Sequence, residues 1–226
     1  LKLYISITKI LFLMKNKYLN FISDEHFLKC IANLHTAYIK AKNNISKKSF
    51  YSNKVDTIKL TFDSKFNSID EEKLIEAEIL RQIDKSINNS IGTFHEQILG
   101  GIEGFEVGKL SGFDIKAKNE TLFAVFGNSE IPKNISDAIF DKLANTALIF
   151  SKAKFYYVLL DDFSEINEKW VIGNEEYRVS QKRVFKISIK EFYNEITLQT
   201  NAFQQLQSNL TIVIDDYLET IKSKSY

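Results

Sequence analysis

The residues whose types could do chemistry gather around one carboxylate. Asp114 opens a short strand-like run, Phe113 to Ala117. Gly108 and Gly112 precede it, so the backbone beside it can be approached closely. Glu96, Glu103 and Glu106 lie upstream, Lys116 and Lys118 follow at once, and Glu130 and Lys133 come after as Glu-x-x-Lys. Carboxylate oxygens suit hard divalent cations, and a lysine can offset negative charge or manage a proton. Other chemistries are excluded. There is no Gly-x-x-x-x-Gly-Lys-Ser/Thr, no Gly-x-Ser-x-Gly elbow and no His-Glu-x-x-His. His26, His35 and His95 form no ligand pattern, and Gly100-Gly101-x-x-Gly104 lacks the strand-then-helix context of a dinucleotide site, so no nucleotide cofactor is expected. Cys30 is the one cysteine, which excludes an internal disulfide and a cysteine-built metal site and fits a cytoplasmic protein. Taken alone, Asp114 reads equally well as a turn aspartate at a strand start. The other acids then read as solvated surface charges.

The elements around Asp114 must position it. Phe113–Ala117 and Thr121–Phe126 read as two strands of a β-hairpin, joined by the polar Lys118, Asn119 and Glu120. Before it, Ile75, Ile79, Ile83, Ile87, Ile91, Phe94 and Ile98 form one apolar stripe, so residues 70–99 are expected to be helical, with Gly92 a bend or break. An amphipathic helix is expected from Ser23 and Asp24 to about Lys42, and Phe50 to Asp70 as short extended pieces or loop. Lys47 and Lys48 fall in a polar break that suits a solvated loop or a phosphate contact. After the hairpin, Ser136 is expected to cap a helix carrying Ile139, Phe140, Leu143, Ala147 and Leu148. Lys154–Leu160 suits the middle of a sheet. Trp170–Ile172 and Val184–Ile189 are further strands with a Gly173-Asn174 turn between them, and Lys190–Thr197 and Asn201–Ile221 are helical. This order implies an α/β sheet of mixed direction with helices on both faces.

The chain has 226 residues and a net charge of +1, so it fits one sizeable domain and carries no global attraction to nucleic acid. Only Arg81, Arg178 and Arg183 are arginine; Arg178 and Arg183 flank a loop between strands, where bidentate base contacts are possible. The first residues are apolar but interrupted by Lys9, so neither a secretory signal nor a membrane span is expected. Met14 is the only methionine. Residues 1–13 are therefore expected to be an upstream extension or an apolar N-terminal segment, with one domain over 14–226.

Several stretches carry a resemblance. They are Ile91-Gly-Thr-Phe-His-Glu-Gln-Ile-Leu-Gly-Gly-Ile-Glu-Gly-Phe105, then Gly112-Phe-Asp114, Ala138-Ile-Phe-Asp-Lys-Leu143, Phe155-Tyr-Tyr-Val158, Val184 to Ile196, and Asn201-Ala-Phe203. In order and spacing, from about Asp24 to the C-terminus, the chain resembles the type II restriction endonucleases that cut GGNCC-like sites. That resemblance implies the PD-(D/E)xK fold, a restriction-endonuclease-like mixed β-sheet flanked by helices. It also implies site-specific, Mg²⁺-dependent hydrolysis of double-stranded DNA by a homodimer in a restriction–modification system. In such folds an aspartate opens a hairpin and an acid-x-lysine triplet lies on its second strand; two carboxylates hold the metal and the lysine serves the attacking water.

Asp114 matches the aspartate. Val125 and Gly127 stand where the second acid and the lysine are expected. The resemblance therefore leaves two expectations. Either Glu130 and Lys133 replace the lost pair, with Glu103 as a further metal ligand, or the chain is an inactive relative that keeps the fold. Lys116, Lys118, Arg178 and Arg183 are the expected DNA contacts, and His95 matches the family's helix pattern.

Overall fold

The computed structural model describes residues 16–43, 57–108, 112–173 and 178–224. Residues 1–13, Lys47, Lys48 and Asn174 lie outside them. The chain divides into two compact units: residues 31–94, and residues 1–30 with 95–226.

The first helix, α1 (Asp24–Asn43), begins where expected. Ser23 caps it, its hydroxyl accepting from the His26 N–H at 3.2 Å. Phe27, Cys30 and Ile31 form its buried stripe. Among the described residues of the unit 31–94 the next helices are α2 (Thr57–Asn67) and the long α3 (Glu71–Gly100), which runs on into the other unit. The extended pieces expected before Asp70 are corrected here. Residues 57–67 are helical, supported by a Lys59–Asp63 pair at i, i+4 and by Phe62 and Phe66 rings 5.2 Å apart. Gly92 does not break α3, which is continuous through it. The helix ends at Gly100-Gly101, where close packing demands small residues. A Cβ on Gly101 would lie 2.2 Å from Nε2 of His26, whose ring nitrogen also bonds the Gln97 carbonyl at 2.7 Å.

The other unit is built on a six-stranded sheet in the order β1-β2-β3-β4-β6-β5. The strands are β1 (Phe105–Val107), β2 (Ile115–Ala117), β3 (Leu122–Gly127), β4 (Lys154–Leu159), β5 (Asn167–Gly173) and β6 (Arg178–Ser188). β1, β2 and β3 pair antiparallel, β3, β4 and β6 run parallel, and β5 closes the far edge antiparallel to β6. The sheet is thus mixed, as the sequence implies; β1, only three residues long, was not foreseen.

Helix α4 (Lys133–Ile149) crosses from β3 to β4. It starts three residues before the expected Ser136 cap, at the N-cap Pro132, whose carbonyl receives the Ile135 and Ser136 N–H groups. Proline's fixed φ suits a helix start, so a polar cap is dispensable. One face of the sheet packs a core of Phe113, Phe123, Phe140, Leu143, Phe155, Tyr157, Trp170 and Val184. On the other face Phe126, Tyr156 and Phe185 meet Phe192 or each other at 5.5–6.0 Å. Phe192 belongs to α5 (Ile189–Thr197), which α6 (Ala202–Lys224) follows. Helices therefore cover both faces. Among the described residues no helix is long and apolar enough to cross a membrane.

Candidate active site

The β2–β3 hairpin fixes Asp114. Its register pairs Ile115 with Ala124 and Lys116 with Phe123, and Asp114 lies in the bend just before β2. Two hydrogen bonds clamp the aspartate to β3. Its N–H donates to the Ala124 carbonyl at 2.9 Å, and its Oδ2 accepts from the Phe126 N–H at 2.6 Å. Its carbonyl receives the Gly108 N–H at 2.9 Å, tying it to the end of β1. Phe113 holds the chain from the core side, with its ring 5.0 Å from Phe123 and 6.3 Å from Phe155. Gly112, at φ +73°, makes the turn into the strand. The Lys142 ammonium donates to the Gly112 carbonyl and lies 4.7 Å over the Phe113 ring.

The parallel strands end beside this clamp. The Leu160 N–H donates to the Gly127 carbonyl at 2.8 Å. Asp161 follows, and its two carboxylate oxygens accept from the Ser129 N–H at 2.7 Å and the Ser129 hydroxyl at 2.9 Å. Two aspartates, Asp114 and Asp161, are thus held on N–H groups of the short stretch 126–129. The neighbouring Asp162 accepts from the Ser164 N–H at 2.8 Å; Ser164 holds its carboxyl below the usual range, with Lys186 adding to the effect. Tyr157 closes the gap between β4 and the loop after β3. Its hydroxyl donates to the Asn128 carbonyl at 2.8 Å, and its ring stacks on Trp170 at 4.7 Å. Burial, with the charge of Asp161, pushes its phenol up to about 12, so it stays protonated.

The other expected site residues are dispersed. Glu130 is exposed in the loop and Lys133 is exposed as the first residue of α4. Among the described residues neither is hydrogen-bonded or ion-paired to Asp114. Glu103 is exposed in the turn before β1. Lys116 pairs with Glu106 across β1 and β2 at 3.0 Å. Lys118 is exposed at the hairpin turn, where only its N–H is tied, to the Gly104 carbonyl at 2.8 Å. Arg183 is directed inward: its guanidinium donates to the Ala147 carbonyl near the end of α4, and its Nε is buried with no hydrogen-bond partner among the described residues. Arg178 opens β6. His95 contacts the Tyr193 hydroxyl at 3.0 Å and stacks on Phe203, a core setting. Sequence reasoning missed Asp161 and Tyr157 as site neighbours. The available signal was an Asp-Asp pair ending a buried strand, the edge of a parallel sheet where ligand sites form.

Among the described residues the side chains do not assemble the metal centre of the PD-(D/E)xK pattern. Among the described residues no group of three or more His, Cys, Asp or Glu is placed to hold an ion. Valine at 125 offers no oxygen, and glycine at 127 offers no ammonium.

The family described as Eco47II restriction endonuclease matches residues 19–219. The chain is 36% identical over 222 residues to the type II restriction enzyme Sau96I of Staphylococcus aureus, covering 93% of this chain and 85% of that one. It is 38% identical over 88 residues to the type II restriction enzyme Eco47II of Escherichia coli, covering 38% of this chain and 36% of that one. No solved structure matches it significantly. The mixed sheet, the aspartate-led hairpin and a match spanning nearly the whole length agree: the chain belongs to the Eco47II restriction endonuclease family.

Proposed function

We propose that this chain is the endonuclease of a type II restriction–modification system in the cytoplasm, binding a specific GGNCC-like site in double-stranded DNA and hydrolysing both strands. The match over residues 19–219 carries this reading. On this reading Asp114 belongs to the cutting centre and Mg²⁺ is its cation, and the acid and lysine that the centre lacks would have to come from Glu130 and Lys133, with Glu103 as a further ligand, all three exposed and apart from Asp114 in this structure. Lys116, Lys118, Arg178 and Arg183 are assigned to DNA. Lys118 stands first among them, because Lys116 is already paired with Glu106 and Arg183 with Ala147. A palindromic site is most simply met by a two-fold symmetric protein, so a homodimer is proposed.

A second reading rests on the sequence at the hairpin. On β3, Val125 and Gly127 stand where the resemblance implies the second carboxylate and the lysine, and neither residue offers one. On that reading the protein keeps the fold and binds DNA without cutting it. The two are separated by incubating the purified chain with Mg²⁺ and duplex DNA bearing GGNCC sites, with a chelator control. Mg²⁺-dependent fragments at those sites establish the first reading. Specific, salt-dependent binding with intact strands establishes the second. If no duplex is bound at low salt, both fail.

A further inference from the structure

Gly127 stands where the resemblance implies a lysine, and the structure shows what fills the space beside it. A Cβ built on Gly127 would lie 2.2 Å from the Tyr157 hydroxyl oxygen, 2.7 Å from its Cε2 and 2.8 Å from its Cζ. Real Cβ contacts are essentially never that close, so one partner must move. Tyr157 is poorly free to do so. Its hydroxyl is bonded to the Asn128 carbonyl at 2.8 Å, its ring stacks on Trp170 at 4.7 Å, and the side chain is buried in the core below α4. In the sheet it stands directly beside Val125, its register partner on β4. A tightly packed interior transmits such a clash to its neighbours instead of absorbing it.

We infer that Tyr157 is the residue that sets position 127: it closes the lysine position of the hairpin, which in this chain accepts no side chain until Tyr157 is cut back. The Tyr157 side chain fills the space beside Gly127 and its hydroxyl bonds the Asn128 carbonyl, so placing glutamate at 125 and lysine at 127 alone does not build the centre. The inference concerns the site of the proposed function but holds whether or not the chain cuts DNA.

The test is a double-mutant cycle read by denaturant unfolding, which needs no activity. Gly127→Ala is introduced into the natural chain and into Tyr157→Leu. The expected result is a clear drop in the unfolding midpoint with Tyr157 present, at least halved in the Tyr157→Leu background. Equal drops in both backgrounds overturn the inference. Should Tyr157→Leu not fold, Tyr157→Phe removes the closest atom alone; a smaller coupling of the same sign is then expected, and none overturns the inference. Gly127→Lys in the natural chain gives an independent check: full stability with Tyr157 in place refutes the closure. The functional arm compares Val125→Glu with Gly127→Lys in the presence and absence of Tyr157→Leu, reading Mg²⁺ binding by calorimetry and DNA cleavage by gel. Gain of Mg²⁺ binding only in the triple variant supports the closure, and equal binding in both refutes it. Cleavage tests the nuclease reading separately.

Discussion

Asp114 is held by its neighbours before any ligand arrives. Its side chain accepts the Phe126 N–H, its N–H bonds Ala124, and its carbonyl receives Gly108. The carboxylate therefore stabilises the hairpin as well as serving as the proposed centre. Asp114→Ala is expected to cost about 1.5 kcal/mol, the lower end for a hydrogen bond to a charged group, because the side chain is only partly buried. Denaturant unfolding measures it. In a cutting protein the same change abolishes cleavage, while Asp114→Asn, which can still accept from Phe126, abolishes cleavage at smaller stability cost. A stability loss without any change in cutting removes Asp114 from the centre. The lysines separate in the same way. Lys118 is exposed with a tied backbone, whereas Lys116 already faces Glu106 at 3.0 Å. Lys118→Ala is expected to flatten the plot of log affinity against log salt by about one phosphate contact, a slope change of about 0.9. Lys116→Ala is expected to change it less. Equal slopes for Lys118→Ala and the natural chain rule out that contact.

At the scale of elements, the N-terminus of α5 is the point where sheet and helix layer are joined. Ser188 ends β6 fully buried, and its hydroxyl does two things: it accepts from the Glu191 N–H at 3.2 Å as an N-cap and donates to the Ser164 carbonyl at 2.7 Å. Ser188→Ala is expected to destabilise by about 1–2 kcal/mol, since a cap and a tie to the β4–β5 loop go together. Thermal unfolding checks it, and a change within error shows that the loop re-solvates without loss. Which elements were legible follows from where their signal lies. α3 and β4 were readable because isoleucines at helical spacing and an unbroken Phe-Tyr-Tyr-Val-Leu run are local patterns. α2 was not, because Leu60 and Phe62 alternate as in a strand, while the stripe of Ile58, Phe62 and Phe66 at four-residue spacing stays exposed instead of facing a core. β1 exists only through its pairing with β2, a partner its own three residues do not announce. The aspartate of the site was legible from the glycines before it. Tyr157 and Arg183 were not, since one acts on a glycine thirty residues away and the other on a helix carbonyl, contacts that no local spacing encodes.

For the molecule as a whole, acid sensitivity is set early by one histidine. Burial pushes the His95 imidazole down from its ordinary 6.5 to about 4, where Tyr193 and Phe203 enclose it. At pH 7 both folded and unfolded states hold it neutral, so its contribution is fully present. As pH falls below 6.5 the unfolded chain takes up a proton that the native state refuses, and stability declines until pH reaches about 4. The limit for one group is about 1.4 kcal/mol per pH unit. The residue as a whole is not fully buried, so about 1 kcal/mol per unit is expected. The lowered carboxyls act elsewhere on the scale. Glu78, Asp162 and Asp216 are held down chiefly by hydrogen bonds. Burial raises Glu195, but Lys154 and Tyr156 together outweigh it. All four favour the native state above the ordinary carboxyl range near 4 and lose that contribution only below it. The interval from pH 6.5 to 5 therefore separates His95 from the acids. Urea unfolding at pH 7, 6 and 5 is expected to show a steeper loss in the natural chain than in His95→Gln, which keeps a polar group beside Tyr193 but cannot titrate. Parallel pH profiles for the two would show that the imidazole gains its proton freely in the folded state, and the enclosure by Tyr193 and Phe203 would then not exclude charge.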